Sequence, residues 1–176
     1  MEMEQPQQIE PDTKDWTVVI SQGCTECGFD PSYDVTTTGD RLRATEAPWR
    51  EQLARTDVRE RPDPATWSPL EYGAHSRDVL RVMRGRLELM LAEDGATFEG
   101  WDQDEAAVKD RYDLQDPARV AQEYAGEIDT TARAFDAVEG ERWQHRGSRS
   151  GTAFTVETLA IYMLHDIEHH LDDVTR

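Results

Sequence analysis

The last predicted helix contains the stretch Leu164-His165-Asp166-Ile167-Glu168-His169-His170-Leu171-Asp172-Asp173. The stretch holds three of the five histidines of the chain. His165 and His169 are four positions apart, so on a helix they lie one turn apart on the same face and both imidazoles can reach one point. Helices use this spacing to give a divalent metal two nitrogen ligands. The stretch therefore predicts part of a metal site, and a third ligand must come from upstream.

Helical phase separates the third histidine from this pair, because each residue advances by roughly 100° around a helix. His170 lies nearer the apolar stripe of the last helix, and we predict a structural role for it. The most apolar face collects Val156, Leu159, Met163, Ile167 and Val174.

The face of His165 and His169 is mixed in character. Metal-bound histidines usually donate their other ring N–H to a carboxylate or carbonyl group. Glu168 and Asp172 are placed to compete for this role, and Tyr162 lies on the same face. We therefore take Asp172, Glu168 and Tyr162 as candidate outer partners of the site.

Four long amphipathic helices are predicted after residue 35. The clearest start is Ser68-Pro69-Leu70-Glu71, where the spacing of serine, proline and glutamate is that of a capping box. The other starts are Thr36–Thr38, Asp116-Pro117 and Thr155. The sequence thus predicts an all-α, up-and-down four-helix bundle over residues 36–176. Residues 1–35 are predicted to form an irregular, partly disordered N-terminal extension with a Cys-x-x-Cys turn.

Two shorter segments have weaker patterns. Trp16–Ile20 is a β-prone or extended run, and Gly147–Gly151 is predicted to be a loop. We find no convincing pair of alternating strands.

His75 is the candidate third ligand, because it lies two turns into the capped helix. The alternative for His75 is a histidine at the edge of the core that hydrogen-bonds to the backbone. His145 lies in a polar loop and has no periodic partner. A metalloprotease H-E-x-x-H motif is not matched, because Asp166 replaces its glutamate and no downstream ligand follows.

Composition limits the partners of the protein. The formal net charge is -18, with 37 acidic and 19 basic residues. So acidic a surface argues against binding to nucleic acid or to an anionic membrane. No apolar run approaches the roughly 20 residues of a membrane span, and the N-terminus lacks the pattern of a signal peptide. We therefore expect a cytoplasmic protein with a small-molecule substrate. An exposed face of the bundle makes a homodimer plausible.

Cys24 and Cys27 are the two cysteines of the chain. Half of a zinc knuckle would require two more ligands, and no Cys or His follows within the next 40-odd residues. A redox pair usually opens a helix after a strand, whereas Gly28-Phe29-Asp30-Pro31 is typical of a turn. The sequence therefore favours two reduced thiols without a functional role.

Two segments together resemble a known family. Residues 67–79, which include His75, and residues 154–170, which include His165 and His169, are similar to the metal-binding segments of the DinB/YfiT-like superfamily of four-helix bundles, in an actinobacterial branch. The resemblance covers about residues 36–176. It implies that His75, His165 and His169 bind one divalent metal, often zinc or nickel.

The resemblance also implies a range of activities. Some members of the superfamily are thiol S-transferases that use bacillithiol or mycothiol, and one type is a mycothiol-dependent maleylpyruvate isomerase. The expected function is therefore a metal-dependent transferase, isomerase or hydrolase that activates a low-molecular-weight thiol or water for attack on a small electrophile. The alternative is a non-catalytic metal-binding or stress-associated protein on the same scaffold.

Overall fold

The computed structural model describes residues 4–176 and has four long helices at its centre. They are α2 (Thr38–Leu53), α3 (Pro69–Ala92), α5 (Pro117–Asp136) and α6 (Val156–Thr175). Two short helices are α1 (Val19–Gln22) and α4 (Gln103–Lys109). The structure is thus the predicted four-helix bundle.

The order of the helices around the bundle differs from their order along the chain. Both α2 and α3 pack mainly against α5 and α6, and they contact each other much less. α2 and α3 therefore lie across one diagonal of the bundle, and α6 lies between them. This arrangement brings the histidines of α6 next to His75 on α3.

Side-chain caps fix where the long helices begin. In the capping box of α3, Glu71 N donates to Ser68 Oγ at 3.2 Å, and Ser68 N donates to Glu71 Oε2 at 2.8 Å. Asp116 caps α5, and Thr155 caps α6. These three starts agree with the predicted ones, because a capping side chain and its amide partner are close in sequence.

The first long helix begins after a turn that an aspartate caps. The Asp34 carboxylate accepts a hydrogen bond from Thr36 N at 3.0 Å and caps a 3₁₀ turn over Val35–Thr37. α2 then follows without interruption, and Pro48 lies inside it.

The N-terminal extension is more helical than predicted. Trp16–Val18 forms a 3₁₀ turn that continues into α1, so the prediction of an extended run over Trp16–Ile20 was wrong. The Asp15 carboxylate accepts from Thr17 N at 3.0 Å, and this local cap outweighs the β-propensity of the run. The partial disorder predicted for residues 1–35 includes positions 1–3, which lie outside the described residues.

A small sheet replaces the loop predicted over Gly147–Gly151. β2 (Arg146–Arg149) and β3 (Thr152–Thr155) form an antiparallel hairpin, and β1 (Ala96–Thr97) pairs in parallel with β2. Ser150 and Gly151 both have positive φ, as the tightest hairpin turns require. Strands of two to four residues are too short to show the alternation that predicts a strand.

The core lies between the four helices. Its largest fully buried side chains include Trp49, Leu80, Leu87, Leu159 and Met163. In the part of the chain that the structure describes, no helix combines the length and apolarity of a membrane span.

Candidate metal sites

α6 presents two potential ligand pairs, displaced from each other by one residue. His165 and His169 form one pair, and Asp166 and His170 form the other. Each pair lies close to residues from another part of the chain. In each resulting group every residue offers one potential donor atom, and these atoms all lie within 4.8 Å of one another. The α3–α6 cluster consists of His75, Asp166 and His170. The cysteine–histidine cluster consists of Cys24, Cys27, His165 and His169.

In the α3–α6 cluster, the Asp166 carboxylate lies between two imidazoles. His75 Nε2 is 3.3 Å from Asp166 Oδ2, and His170 Nε2 is 3.3 Å from Asp166 Oδ1. The other ring nitrogen of His170, Nδ1, is 3.1 Å from Asp173 Oδ2. His170 thus has a carboxylate partner outside the cluster that fixes the direction of Nε2.

His75 carries the clearest signal for a ligand. Its side chain is fully buried, and neither ring nitrogen makes a hydrogen bond within residues 4–176, since the 3.3 Å contact with Asp166 lacks suitable geometry. An unsatisfied buried polar group costs about 1–3 kcal/mol. The ring is held in place by Trp101, which stacks on it at 5.7 Å between centroids. Two imidazoles around a carboxylate fit the ligand preferences of a divalent transition metal.

The electrostatics of the α3–α6 cluster require a positive charge. Burial lowers the pKa of His75, so its imidazole is neutral, which is the form that binds metals. Burial also opposes a charge on His170, but Asp166 and Asp173 outweigh it and raise the pKa of His170 to about 9. The histidines hold the pKa of Asp166 well below its usual range despite burial. A proton on His170 or a divalent cation can each provide the charge that the Asp166 carboxylate needs.

An open cleft of about 910 Å³ leads to both clusters. The cleft is lined by the N-terminal extension, by Tyr72 of α3, by residues 100–104 and by α6. Its acidic lining residues are Asp12, Glu26, Asp102, Asp104, Asp166 and Asp173. Among the described residues that line the cleft, Lys14 is the single lysine or arginine, so the cleft is strongly electronegative.

The cysteine–histidine cluster is covered by aromatic rings. Cys24 Sγ lies 3.7 Å from His169 Nδ1. Trp16 stacks on His165 with 5.4 Å between ring centroids, and Phe29 meets the same ring edge-on at 5.4 Å. Burial and the neighbouring His169 lower the pKa of His165 to about 4, so this ring too is a neutral potential ligand.

The structure divides the three predicted ligands between the two clusters. His165 and His169 lie together, as their spacing predicts. His75 instead lies with Asp166 and His170, and it belongs to no group with His165 and His169. His170, which was predicted to be structural, is in the α3–α6 cluster. Asp166 and His170 also have i, i+4 spacing, and this signal could have identified them.

The predicted outer partners of the histidines have other neighbours. Glu168 forms an ion pair with Arg41, and Asp172 pairs with Arg176. Tyr162 does line the cleft. Asp173, which the sequence analysis did not select, takes the outer position beside His170, three residues away on the same helix.

His145 lies outside both clusters, whereas the two cysteines belong to one of them. His145 Nδ1 lies 3.0 Å from the carbonyl of Met90 and has a role in the fold. Cys24 and Cys27 are free thiols in the described chain and lie beside two histidines, although we predicted no role for them. The prediction considered only ligands close in sequence, whereas His169 is 145 positions from Cys24.

Comparisons with known proteins agree with this architecture. A solved structure of YfiT from Bacillus subtilis, described as "a probable metal-dependent hydrolase with an unusual four-helix bundle topology", aligns with a TM-score of 0.72. The alignment covers 84% of this chain and 90% of YfiT at 14% identity, which confirms the four-helix-bundle fold. No curated protein matches the sequence significantly. The family model of the DinB superfamily matches residues 33–174, most of the chain. The chain therefore belongs to the DinB superfamily.

Proposed function

We propose that this protein is a metal-dependent enzyme whose α3–α6 cluster holds one divalent cation at the base of the cleft. The observation that carries the proposal is His75. Its fully buried imidazole makes no hydrogen bond within residues 4–176. It faces the Asp166 carboxylate, which His170 also contacts. Three protein ligands would leave a coordination position for water or substrate, as in catalytic metal sites, and Asp166 and His170 both line the cleft.

The composition of the cluster affects its chemistry. In a metal complex His75 and His170 would both bind as neutral imidazoles, His170 after it loses its proton to solvent, whereas Asp166 would bring one negative charge. The set resembles the two histidines and one carboxylate of zinc hydrolases, and zinc or nickel would suit it. A divalent cation in this position would lower the pKa of a water or thiol bound to it. The carboxylate makes this effect weaker than three histidines would.

The surrounding side chains hold the ligands in position. Asp173 fixes the ring of His170, and Tyr72 packs on the same ring with 4.9 Å between centroids. Trp101 fixes the ring of His75 and also lines the cleft. Rings that are locked by packing keep a metal site in one geometry.

The charge of the cleft limits the substrate. The carboxylates around the site repel anions such as phosphate esters or dicarboxylates. A neutral or cationic small electrophile is favoured, and a cleft of about 910 Å³ is large enough for one. Water is the first candidate for the nucleophile, in line with the description of YfiT as a probable metal-dependent hydrolase. A low-molecular-weight thiol such as mycothiol is the other candidate.

The ligand set is tested by metal analysis of untagged protein. We expect His75→Ala and His170→Ala each to remove one metal ion per chain, and His145→Ala to leave the metal content unchanged. If His75→Ala loses the metal and His170→Ala keeps it, the result would favour the ligand set implied by the resemblance, which is His75, His165 and His169. Full metal content in all three variants would overturn the proposed site.

Catalysis is tested on the metal-loaded protein with neutral and cationic esters, amides and epoxides, each with and without mycothiol. Turnover that is lost in His75→Ala and retained in His145→Ala would support the proposal. Acceleration that requires mycothiol would identify a transferase, and acceleration without it a hydrolase. Metal binding without turnover of any substrate would instead support the non-catalytic alternative.

A further inference from the structure

We infer that Cys24, Cys27, His165 and His169 form a second, structural zinc site, which fastens the N-terminal extension to α6. This site is distinct from the proposed catalytic one, because the two clusters share no ligand. The family model begins at residue 33, so both cysteines lie outside the region that matches the superfamily. Two of the four ligands therefore come from a segment outside the shared domain.

The four potential donors lie close together, and the sulfur–nitrogen separation between Cys24 and His169 matches that of tetrahedral zinc. Zinc bonds of about 2.3 Å to sulfur and about 2.0–2.1 Å to nitrogen, at a tetrahedral angle, place sulfur and nitrogen about 3.6 Å apart. The distance from Cys24 Sγ to His169 Nδ1 is 3.7 Å. All four residues offer donor atoms within 4.8 Å of one another. Two cysteines and two histidines are a ligand set of closed structural zinc sites.

The cysteine loop is shaped to present both sulfur atoms to α6. Gly28 N donates to Cys24 O at 2.8 Å, and Cys24 N donates to Phe29 O at 3.1 Å, so the backbone turns tightly around the two cysteines. Gly28 has a φ of 77°, which favours glycine. This turn, rather than a helix start, sets the direction of the thiols.

An unsatisfied buried nitrogen points independently to a ligand. His165 is 3% exposed, and its Nε2 makes no hydrogen bond with any described residue. The ring cannot turn freely, because Trp16 and Phe29 pack against it. A zinc ion bound to Nε2 would satisfy this atom next to the aromatic rings, at the edge of the cleft that His165 and His169 line.

The second histidine has outer partners typical of zinc sites. His169 directs Nδ1 toward Cys24, while its Nε2 lies 3.6 Å from Asp173 Oδ2 and 3.7 Å from Glu26 Oε2. Carboxylates in this position orient a metal-bound imidazole. Two thiolates and two neutral imidazoles also cancel the charge of Zn²⁺, which suits a buried site.

The site gives the N-terminal extension a function in the enzyme. Asp12, Lys14, Trp16 and Glu26 form one wall of the cleft, and they belong to the extension. Four protein ligands leave the zinc no open position, so this ion would not take part in the reaction. It would hold the wall in place beside the α3–α6 cluster.

Cobalt substitution of the full-length wild-type protein tests the site directly. Co²⁺ bound by cysteine has intense thiolate-to-metal charge-transfer absorption, whereas Co²⁺ bound only by histidine and carboxylate lacks it. We expect this absorption in wild-type protein and in His75→Ala, because His75 belongs to the other cluster. Its absence from cobalt-loaded wild-type protein would overturn the proposal, without any need for a variant to fold.

Variants of the cysteines supply the second readout. The double variant Cys24→Ser with Cys27→Ser should bind about one zinc ion fewer per chain and keep the His75-dependent ion. The single variant Cys27→His still offers four ligands, so it should bind the zinc ion that the double variant loses. This comparison separates the loss of ligands from misfolding. Unchanged zinc content in the double variant, or a Cys24–Cys27 disulfide in protein with full zinc content, would count against the site.

Discussion

Asp173 is the residue that connects the two clusters of α6. Its Oδ2 atom is 3.1 Å from His170 Nδ1 and 3.6 Å from His169 Nε2. This carboxylate can therefore orient His170 of the proposed catalytic site, and it also lies beside His169 of the proposed structural site. A metal ion in one site would alter the charge that Asp173 presents to the other.

The contribution of Asp173 can be measured against its neighbour on the helix. We expect Asp173→Asn to weaken metal binding by the α3–α6 cluster by about 10–100-fold, because His170 loses its carboxylate partner. Asp172→Asn is the control, since Asp172 pairs with Arg176 at the surface and should change affinity little. Both variants are made in protein with Cys24→Ser and Cys27→Ser, so that only the α3–α6 cluster binds metal. Competition with a chelator then gives the two affinities. Equal affinities of the two variants would show that Asp173 has no such role.

At the scale of single elements, the start of α3 determines where His75 lies. Ser68 is 1% exposed, and it both accepts from and donates to Glu71. The capping box fixes the first turn of the helix, and His75 follows two turns later. The local sequence thus sets the height of His75 along the bundle.

Loss of this cap should reduce stability. We expect Ser68→Ala to lower the free energy of unfolding by about 1 kcal/mol, because the amide of Glu71 loses its partner in a buried position. Thr130→Ala, on the exposed face of α5, should change it by less than about 0.5 kcal/mol. Urea unfolding followed by circular dichroism measures both. Equal midpoints for the two variants would contradict the assigned role of the cap.

Two glycines in long helices should respond in opposite directions to alanine. A Cβ at Gly39 would lie 3.0 Å from the carbonyl oxygen of Ala132 on α5 and closer still to Asp136, whereas a Cβ at Gly85 would have no atom within 4 Å among the described residues. We expect Gly39→Ala to destabilise the protein by about 1–3 kcal/mol through overpacking.

The matched variant Gly85→Ala should stabilise the protein by about 0.5–1 kcal/mol, because alanine loses less conformational entropy in a helix. Thermal unfolding of the two variants and of the wild-type protein shows whether each substitution stabilises or destabilises the protein. A stabilising Gly39→Ala would show that α2 and α5 can separate at this point without cost.

For the whole molecule, the proposed zinc site joins the N-terminal extension to the four-helix bundle. The main core cluster includes Val19, Cys24 and Phe29 of the extension, but its largest fully buried side chains come from the four long helices. Removal of metal by a chelator should therefore loosen the extension before the bundle unfolds.

Limited proteolysis can detect this order of events. After chelation we expect faster cleavage before residue 35, while the segment from α2 to α6 stays protected. The His75→Ala variant should show the same change on chelation, because it keeps the cysteine–histidine cluster. Identical cleavage of the extension with and without chelator would indicate that metal does not hold it.

The sequence by itself determined the features that depend on neighbours along the chain. The caps at Ser68, Asp116 and Thr155 mark the starts of three long helices, and apolar periodicity shows that the helices form a bundle. The i, i+4 spacing of His165 and His169 correctly predicts that their rings lie together. These features depend on interactions within one or two helical turns, which sequence spacing describes well.

Only the tertiary structure decided which residues from distant parts of the chain meet. The pairs 165/169 and 166/170 have the same spacing, and the rotation of α6 against α3 selects the second pair to face His75. Packing of the extension on α6 places the cysteines beside the first pair. Helical periodicity defines the faces of a helix but not the neighbour that each face contacts, since that depends on the packing of the whole bundle.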